Sequence, residues 1–550
     1  MLKMTETLSS PKVRKACSLL IILCFILMFF LSAVTADDYG MPTDEPVEIK
    51  ILLMNVREVF ETFLSEENQL SYELYDRGVP AITHSEERDH GQSVYYPFAL
   101  YLLKYTNMCR ANVEYVTVSN AYHLYTAVFC FTAVLALYFV LKELTENKIL
   151  ALLGAVLLYV TPRFFAESHY NNKDIVLLCL FIDMSLFAIR AIKRKKLYDG
   201  LAFALLAALA ANTKIVGVFF FGVMGFAYII YVTLNRQWNR HSVLVAIITI
   251  LAFCGFYYAL TPAMWKNPVS YFQYCYDNAF RFSRNAGTVL FDGKVLISRL
   301  GQVPRYYLIK YIIITTPLFI LLLTLLGFAR LVKLGTDKGS YSSKAKWEGM
   351  FFVLVICISA LLPLIISSIS KSIVYNGWRH FYFSYYGVII LACFGLEWLM
   401  QRYPKVTVLA TTALVAIAGG ILIANHPYEF SYFNILAGTQ ADERYETDYW
   451  GLSSADALRV ILDDAGDVDT VNVSYLDFES GTRIKWGELM LTQEEQKKIN
   501  IVDETEDAKY IVENVGFQTM SNRLNIPDDY YLLKSIDAFG NKLVNIYRCD

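Results

Sequence analysis

Charge is what this chain of 550 residues has least of. Lys, Arg, Asp and Glu make up 18% of it, while 55% is hydrophobic and 15% aromatic. Soluble domains carry about 25% charged residues, so this composition, with a mean hydropathy of +0.38, excludes an ordinary soluble domain and points to a polytopic membrane protein. Net charge is nearly absent as well, at a formal -2, which removes the electrostatic footprint of nucleic-acid binding. The ten cysteines contain no CxxC pair, and Cys24, Cys130, Cys179, Cys254, Cys357 and Cys393 lie inside apolar runs. That excludes a zinc site or disulfide framework by spacing, and they read as small buried hydrophobes. Cys109, Cys275 and Cys549 fall outside the runs. There is no glycine-rich phosphate loop, and no DxD motif within a recognisable nucleotide-sugar domain, so no nucleotide site is expected. Internal repeats and low-complexity tracts are also missing.

What the chain does have is apolar runs able to cross the ~30 Å hydrocarbon core of a bilayer. They fall near 18–35, 120–141, 148–162, 174–191, 199–212, 215–234, 242–261, 306–330, 348–370, 382–401 and 406–425. The fold class is therefore an α-helical membrane protein of about eleven spans, with 148–162 and 199–212 the shortest. One set of loops is rich in Lys and Arg: Lys12/Arg14/Lys15, Lys142/Lys148, Lys193 to Lys196, Arg236/Arg240, Arg330 to Lys346, and Arg402/Lys405. By the positive-inside rule these loops and the N-terminus are cytoplasmic, and the opposite loops and the C-terminal part are external. Val34-Thr35-Ala36 has the small residues of a signal-peptide cleavage site. The long run and the many later spans favour an uncleaved first helix.

Residues 1–425 are thus expected to form the membrane domain and 426–550 a small external α/β domain. In the latter, a helix is expected at Ser454–Leu462 and strands at Val468–Val473, Tyr510–Glu513, Tyr530–Ser535 and Leu543–Tyr547. The first external loop, 36–119, is predicted to hold an amphipathic helix around Val47–Leu64 and a semi-apolar one at Tyr95–Tyr105, both suited to the interface.

The external loops gather the polar residues. The first opens with TADDYGMPTDEP, Thr35–Pro46, which sets Asp37, Asp38, Asp44 and Glu45 just beyond the first span, and it carries Asp89 and His90 further on. The others read TPRFFAESHYNNKD from Thr161 to Asp174, TPAMWKNP from Thr261, and YNGWRHFYF from Tyr375 to Phe383. A lone Arg163, Lys173 or Arg379 at a helix end could simply snorkel to the interface. Cations on several loops facing carboxylates on another suit a lipid-linked phosphate sugar. Its phosphate needs Arg or Lys, the attacking hydroxyl needs a base, and the lipid tail needs an apolar groove. For His90, His169 and His380 a hydrogen-bonded structural role is the simpler reading.

These blocks resemble the GT-C glycosyltransferases, and in particular the protein O-mannosyltransferase-like branch that uses dolichyl- or polyprenyl-phosphate sugars. The resemblance rests on Asp44-Glu45, Pro162–Asp174, Pro262–Pro268, Asn376–Phe383, and HPYEFSYFN with DYWG (His426–Asn434, Asp448–Gly451), and runs from the first span to about Ala457. It implies a GT-C fold and a catalytic set of Asp44, Glu45 and Asp174, with Asp44 as the base and Asp174 a second carboxylate or metal ligand. It further implies Arg163, Lys173 and Arg379 for the donor phosphate, and Asp89, His90 and His380 for the acceptor or supporting contacts. Asp38 is the alternative base. A divalent ion such as Mg or Mn is used by some members of the branch and not by others, so no metal is assigned.

The activity so implied is inverting transfer of a sugar, hexosyl and mannosyl-like, from a polyprenyl- or dolichyl-phosphate donor to a hydroxyl of a protein, lipid or glycan on the external face. A bacterial or archaeal plasma membrane fits better than the ER. The rival from another class is a transporter or flippase of lipid-linked sugars, which calls for midplane charges and paired broken helices. A third reading has the C-terminal domain bind a glycan or partner.

Overall fold

The computed structural model describes residues 11–63, 92–102, 114–280, 287–336, 344–374, 377–515 and 526–549. Asp89, His90, Cys109 and Asn376 therefore lie outside the described residues. The helices of nine or more residues are α1 (Pro11–Val34), α2 (Glu45–Phe63), α3 (Tyr115–Thr145), α4 (Lys148–Tyr159), α5 (Pro162–Tyr170), α6 (Asp174–Arg194), α7 (Leu197–Thr213), α8 (Val216–Leu234), α9 (Arg240–Ala259), α10 (Pro268–Phe280), α11 (Tyr307–Thr315), α12 (Leu318–Thr336), α13 (Lys344–Ser370), α14 (Tyr385–Arg402) and α15 (Pro404–Ala424). Two more, α16 (Ser454–Ala465) and α17 (Phe478–Glu488), belong to the C-terminal part.

Among the described residues nine helices are long and apolar enough to span a membrane, and the pair α4–α5 makes a tenth if counted as one broken span. The count of eleven expected from sequence also included α7, which is apolar but only 17 residues long. One expected run, 148–162, ends early at Tyr159, ahead of a helix in the expected loop 161–174; another, 306–330, is interrupted, and proline explains both. Pro162 has no N–H to continue the ladder, so the chain extends at Thr161 and α5 leaves α4 at 68°. Pro317 likewise divides the run 306–330 into α11 and α12.

The spans take different positions in the bundle. The apolar window of α1 is 22% buried, and Leu19, Leu20, Leu23 and Leu27 point outward, as a lipid-facing helix requires. The window of α6 is 89% buried and that of α14, counted from Arg379, is 83%. These two are the inner helices. α14 packs so tightly on α12 that a Cβ on Gly327 or Gly395 would meet the other helix's backbone, the small-residue contact by which membrane helices approach closely.

Residues 471–549 form a five-stranded sheet in the order β4-β3-β5-β7-β6, from β3 (Val471–Tyr475), β4 (Ile499–Ile501), β5 (Tyr510–Asn514), β6 (Tyr530–Ala538) and β7 (Asn541–Cys549). β3 pairs in parallel with β4 and β5, and β5–β7–β6 are antiparallel. Leu458 and Ile461 of α16 pack on Val473, Val512, Val544 and Ile546 to give this part its own core. A further hairpin, β1 (Thr288–Phe291) with β2 (Lys294–Ile297), turns through Asp292-Gly293, both at positive φ, the usual chemistry of a two-residue hairpin. Phe291 bridges to Tyr445 and so joins the hairpin to the chain that follows α15.

Candidate active site

The site forms where the first loop after α1 meets the N-terminal ends of α6 and α14. Three features fix that loop. Thr43 donates its amide and hydroxyl to the Trp450 carbonyl at 3.1 and 3.0 Å. Gly40 lies so close to the Leu452 backbone that no side chain would fit. Glu45 begins α2 and turns inward, where it accepts hydrogen bonds from Ser119 at 2.6 Å and shares one with His123 Nε2 at 2.7 Å; Glu45 and His123 have no accessible side-chain surface.

With the loop so held, Asp44 accepts a hydrogen bond from Arg379 Nη1 at 2.8 Å. The Arg379 guanidinium lies over the rings of Tyr449 and Trp450, 4.7 and 4.9 Å from their centroids. One turn into α2, Glu48 pairs with Lys173 and accepts from Gln92, whose carbonyl in turn accepts from Asn172. Asn171 Oδ1 accepts from the amides of Lys173 and Asp174 at 3.2 and 2.8 Å and thereby braces the turn into α6. Asp174 pairs with Lys214, whose ammonium is 3.4 Å from His380 Nδ1.

Asp44, Glu48, Lys173, Asp174, Lys214, Arg379 and His380 therefore form one network of alternating charge. Burial pushes the Asp44 carboxyl up, but the Arg379 guanidinium and the Lys173 ammonium outweigh it and hold the group below the usual carboxylate range. For Lys173, burial works against the charged form and the Glu48 and Asp44 carboxylates overcome it, so its pKa is raised. Lys214 goes the other way: burial lowers it, and the Asp174 carboxylate cannot offset that against the added repulsion of Lys173 and Arg379. The members differ in access. The Asp44 side chain is 34% exposed, against 4% for Glu48 and 2% for Asp174.

Arg163 stands apart from that network, on α5. It is buried, stacked 3.6 Å from the centroid of Phe430 and 5.6 Å from that of Phe433, and its Nε has no hydrogen-bond partner. Among the described residues it forms no ion pair. Glu167 is a carboxylate that feels its charge, but it is already held by Tyr382 and Asn171. A buried cation left without a partner is costly, and an anionic ligand would relieve it.

Asp38 is committed elsewhere. His426 Nε2 meets Asp38 at 2.9 Å while its Nδ1 meets Glu429 at 2.6 Å, and Tyr39 donates to Glu429 at 2.9 Å. Burial disfavours the His426 imidazolium, yet these two carboxylates raise its pKa above the ordinary value. His169 is engaged with Thr35 and with the carbonyls of Phe165 and Ser32. Among the described residues no group of three or more His, Cys, Asp and Glu is placed to hold a metal ion.

Sequence reasoning did not single out Ser119, His123, Glu167 or Lys214. Ser119, His123 and Lys214 are polar residues in otherwise apolar helices or at their ends, Glu167 lies within the polar block 161–174, and only the packing of the bundle gives each its partner. Proline and asparagine do mark the loops that place them.

Residues 113–265 match the family of dolichyl-phosphate-mannose-protein mannosyltransferases. This segment, from just before α3 to the turn after α9, includes His123, Arg163, Lys173, Asp174 and Lys214; Asp44 and Arg379 lie outside it. The resemblance to membrane glycosyltransferases of that branch holds over this segment. No curated protein matches the chain. ArnT from Cupriavidus metallidurans, solved bound to undecaprenyl phosphate, is similar over 96% of this chain and 98% of its own, with 11% identity and a TM-score of 0.42. Those values are too low to carry residues from one chain to the other.

Proposed function

We propose that this protein is an inverting, polyprenyl-phosphate-sugar-dependent glycosyltransferase that works on the external face of its membrane. The observation that carries the reading is Asp44. It is the accessible carboxylate of a largely buried charge network, kept ionised by Arg379 and Lys173. The acceptor is a hydroxyl of a protein, lipid or glycan. Asp44 takes its proton as the oxygen attacks the anomeric carbon from the face opposite the phosphate. The bond from that carbon to the phosphate oxygen breaks, and the polyprenyl phosphate leaves with the electron pair. Arg163, the buried cation without an ion-pair partner among the described residues, receives the phosphate, and Lys173 and Arg379 set the potential around it. The sugar is a hexose of the mannosyl kind.

In this reading residues 1–425 carry the transfer chemistry. Residues 426–550 form the external part, and its first stretch lends Phe430, Tyr449 and Trp450 to the site. The N-terminus lies inside. Asp174 and Glu45 act through others, Asp174 by placing Lys214 and Glu45 by anchoring the loop, so both are positioning residues. Were a divalent ion to bind, Asp44 and Asp174 are the carboxylates on hand.

The test is transfer from a polyprenyl-phosphate-linked sugar by the purified protein, wild type beside Asp44→Asn. The asparagine keeps the shape and cannot accept a proton. Turnover should fall about 10²–10⁴-fold, as for the loss of a general base, with donor binding retained. Unchanged turnover would remove Asp44 from the mechanism. Sugar transport without transfer, in both proteins and with acceptors supplied, would favour the flippase reading.

A further inference from the structure

The helices that carry the site at one end enclose a second charged space at the other. On α6, Lys193 lies 19 residues beyond Asp174 (193 − 174), about 29 Å along the axis at ~1.5 Å per residue. That is close to one hydrocarbon thickness. Around Lys193 the far ends of α3, α12, α13 and α14 wall a cavity of about 370 Å³, within the range of small-ligand sites. Its inner wall is apolar, with Leu141 and Phe352 buried, and its rim carries Glu143, Glu146, Glu348 and Glu397 with Lys193, Arg330 and Lys333.

Most of these charges are already matched. Arg330 meets Glu397 at 2.6 Å and the Phe394 carbonyl at 2.8 Å. Lys193 lies 3.6 Å from Glu348, which also accepts from Tyr231 at 2.7 Å. Glu143 is held by Arg190 and Arg194. Two rim residues are left over: Lys333 and Glu146 are both exposed and form no ion pair among the described residues. Lys333 Nζ lies 6.0 Å from the ring centroid of Trp398. Glu146 closes α3 in the left-handed conformation, at φ 56°, where the chain turns to start α4.

The rim charges without an ion pair among the described residues are thus one cation and one anion. A simple anion entering here would face four glutamates, and a simple cation three basic side chains. A ligand with both charges on one short framework meets neither penalty, and a second, apolar portion would suit the inner wall. At headgroup depth in the leaflet opposite the site, such a ligand is a lipid. We propose that this cavity seats the headgroup of a zwitterionic glycerophospholipid with a primary amine, its phosphate on Lys333, its ammonium on Glu146 and its first acyl carbons along Leu141 and Phe352. The proposal does not depend on the transferase reading, since neither residue touches the transfer site.

The test uses the full-length protein in detergent and native mass spectrometry, titrating phosphatidylethanolamine, phosphatidylcholine and phosphatidylglycerol of identical acyl chains. Phosphatidylethanolamine should bind at the lowest concentration, because its ammonium can donate hydrogen bonds to Glu146 and that of phosphatidylcholine cannot. Lys333→Glu and Glu146→Lys should each weaken it about threefold, the scale of one exposed ion pair. The exchanged double variant should recover binding with the headgroup reversed. Both residues are exposed, so folding should be unchanged, and an unaltered melting temperature checks this. Equal binding of the three lipids, preference for phosphatidylglycerol, single variants that bind like wild type, or a double variant that stays weak would each overturn the proposal.

Discussion

The two ends of α6 hold ion pairs made from the same residue types, and they are built to different standards. At the Asp174 end the carboxylates of Glu48 and Asp174 are almost wholly enclosed, and each partner is shared with neighbours across four chain segments. At the Arg194 end the pairs are wetter: the Arg194 side chain is 39% exposed and its partner Glu143 18%. Enclosing charges costs several kcal/mol per ion, so a buried network is weak evidence of stability and a better sign of a site that must hold a geometry. The exposed end gains little from its pairs and gives up little if they are lost. Mutations at the two ends should therefore differ in size and in kind.

After Asp44→Asn, the largest effect is expected at His123. Replacing it by alanine leaves the Glu45 carboxylate buried with Ser119 as its remaining partner. Unfolding in detergent should report a loss of about 3–5 kcal/mol, and activity should fall with the displaced loop. Glu45→Gln, which keeps the shape and removes the charge, should recover most of the stability lost in His123→Ala. A double variant no more stable than His123→Ala would mean that Glu45 is not what His123 supports.

Arg163 separates a point charge from a planar donor. Arg163→Lys keeps the charge but cannot keep the stack on Phe430 together with a two-pronged contact to phosphate. The apparent KM for the lipid-linked donor should rise about tenfold, the scale of one charge-assisted hydrogen bond, with a smaller change in kcat. An unchanged KM would move the phosphate site to Lys173 and Arg379.

For Arg379 the readout is pH. Because Arg379 lowers the Asp44 pKa, the ionised base persists to lower pH in the wild type than a free aspartate would allow. Removing it in Arg379→Gln leaves Lys173 as the main opponent of burial, so the acid limb of the rate profile should move to higher pH. The stability linked to Asp44 follows the same sign: it is present above the unfolded pKa and is lost as pH falls through the depressed folded one. An acid limb that stays where it was would mean that another group sets it.

How much of this was legible in the sequence follows from the scale of each signal. Apolar runs, the Lys and Arg asymmetry and four strand-like segments are local, and the helical membrane architecture and most of the C-terminal sheet could be read from them. Asp44, Lys173, Asp174, Arg379 and His380 stood out because they sit in polar blocks between spans, and the structure brings those five together. His123 could not be read in the same way, since a single polar letter in an apolar run carries no partner with it. Arg163 was legible as a cation, but its separation from the network was not, because that depends on the 68° bend at Pro162. The β1–β2 hairpin was missed although Asp292-Gly293 marks it, its strands being only four residues each.

The smallest effect should come from Glu143, and its smallness is what the comparison requires. Glu143→Gln removes the carboxylate shared by Arg190 and Arg194 at the far end of the bundle. Both arginines retain water: their side chains are 22% and 39% exposed. They can be rehydrated when the carboxylate is gone, and the neutral amide still accepts one hydrogen bond. The loss should stay within about 0–1 kcal/mol and shrink further as salt is raised, with turnover unchanged. A loss as large as that of His123→Ala would show that the far end is as tightly engaged as the site, and the contrast drawn from exposure would fail.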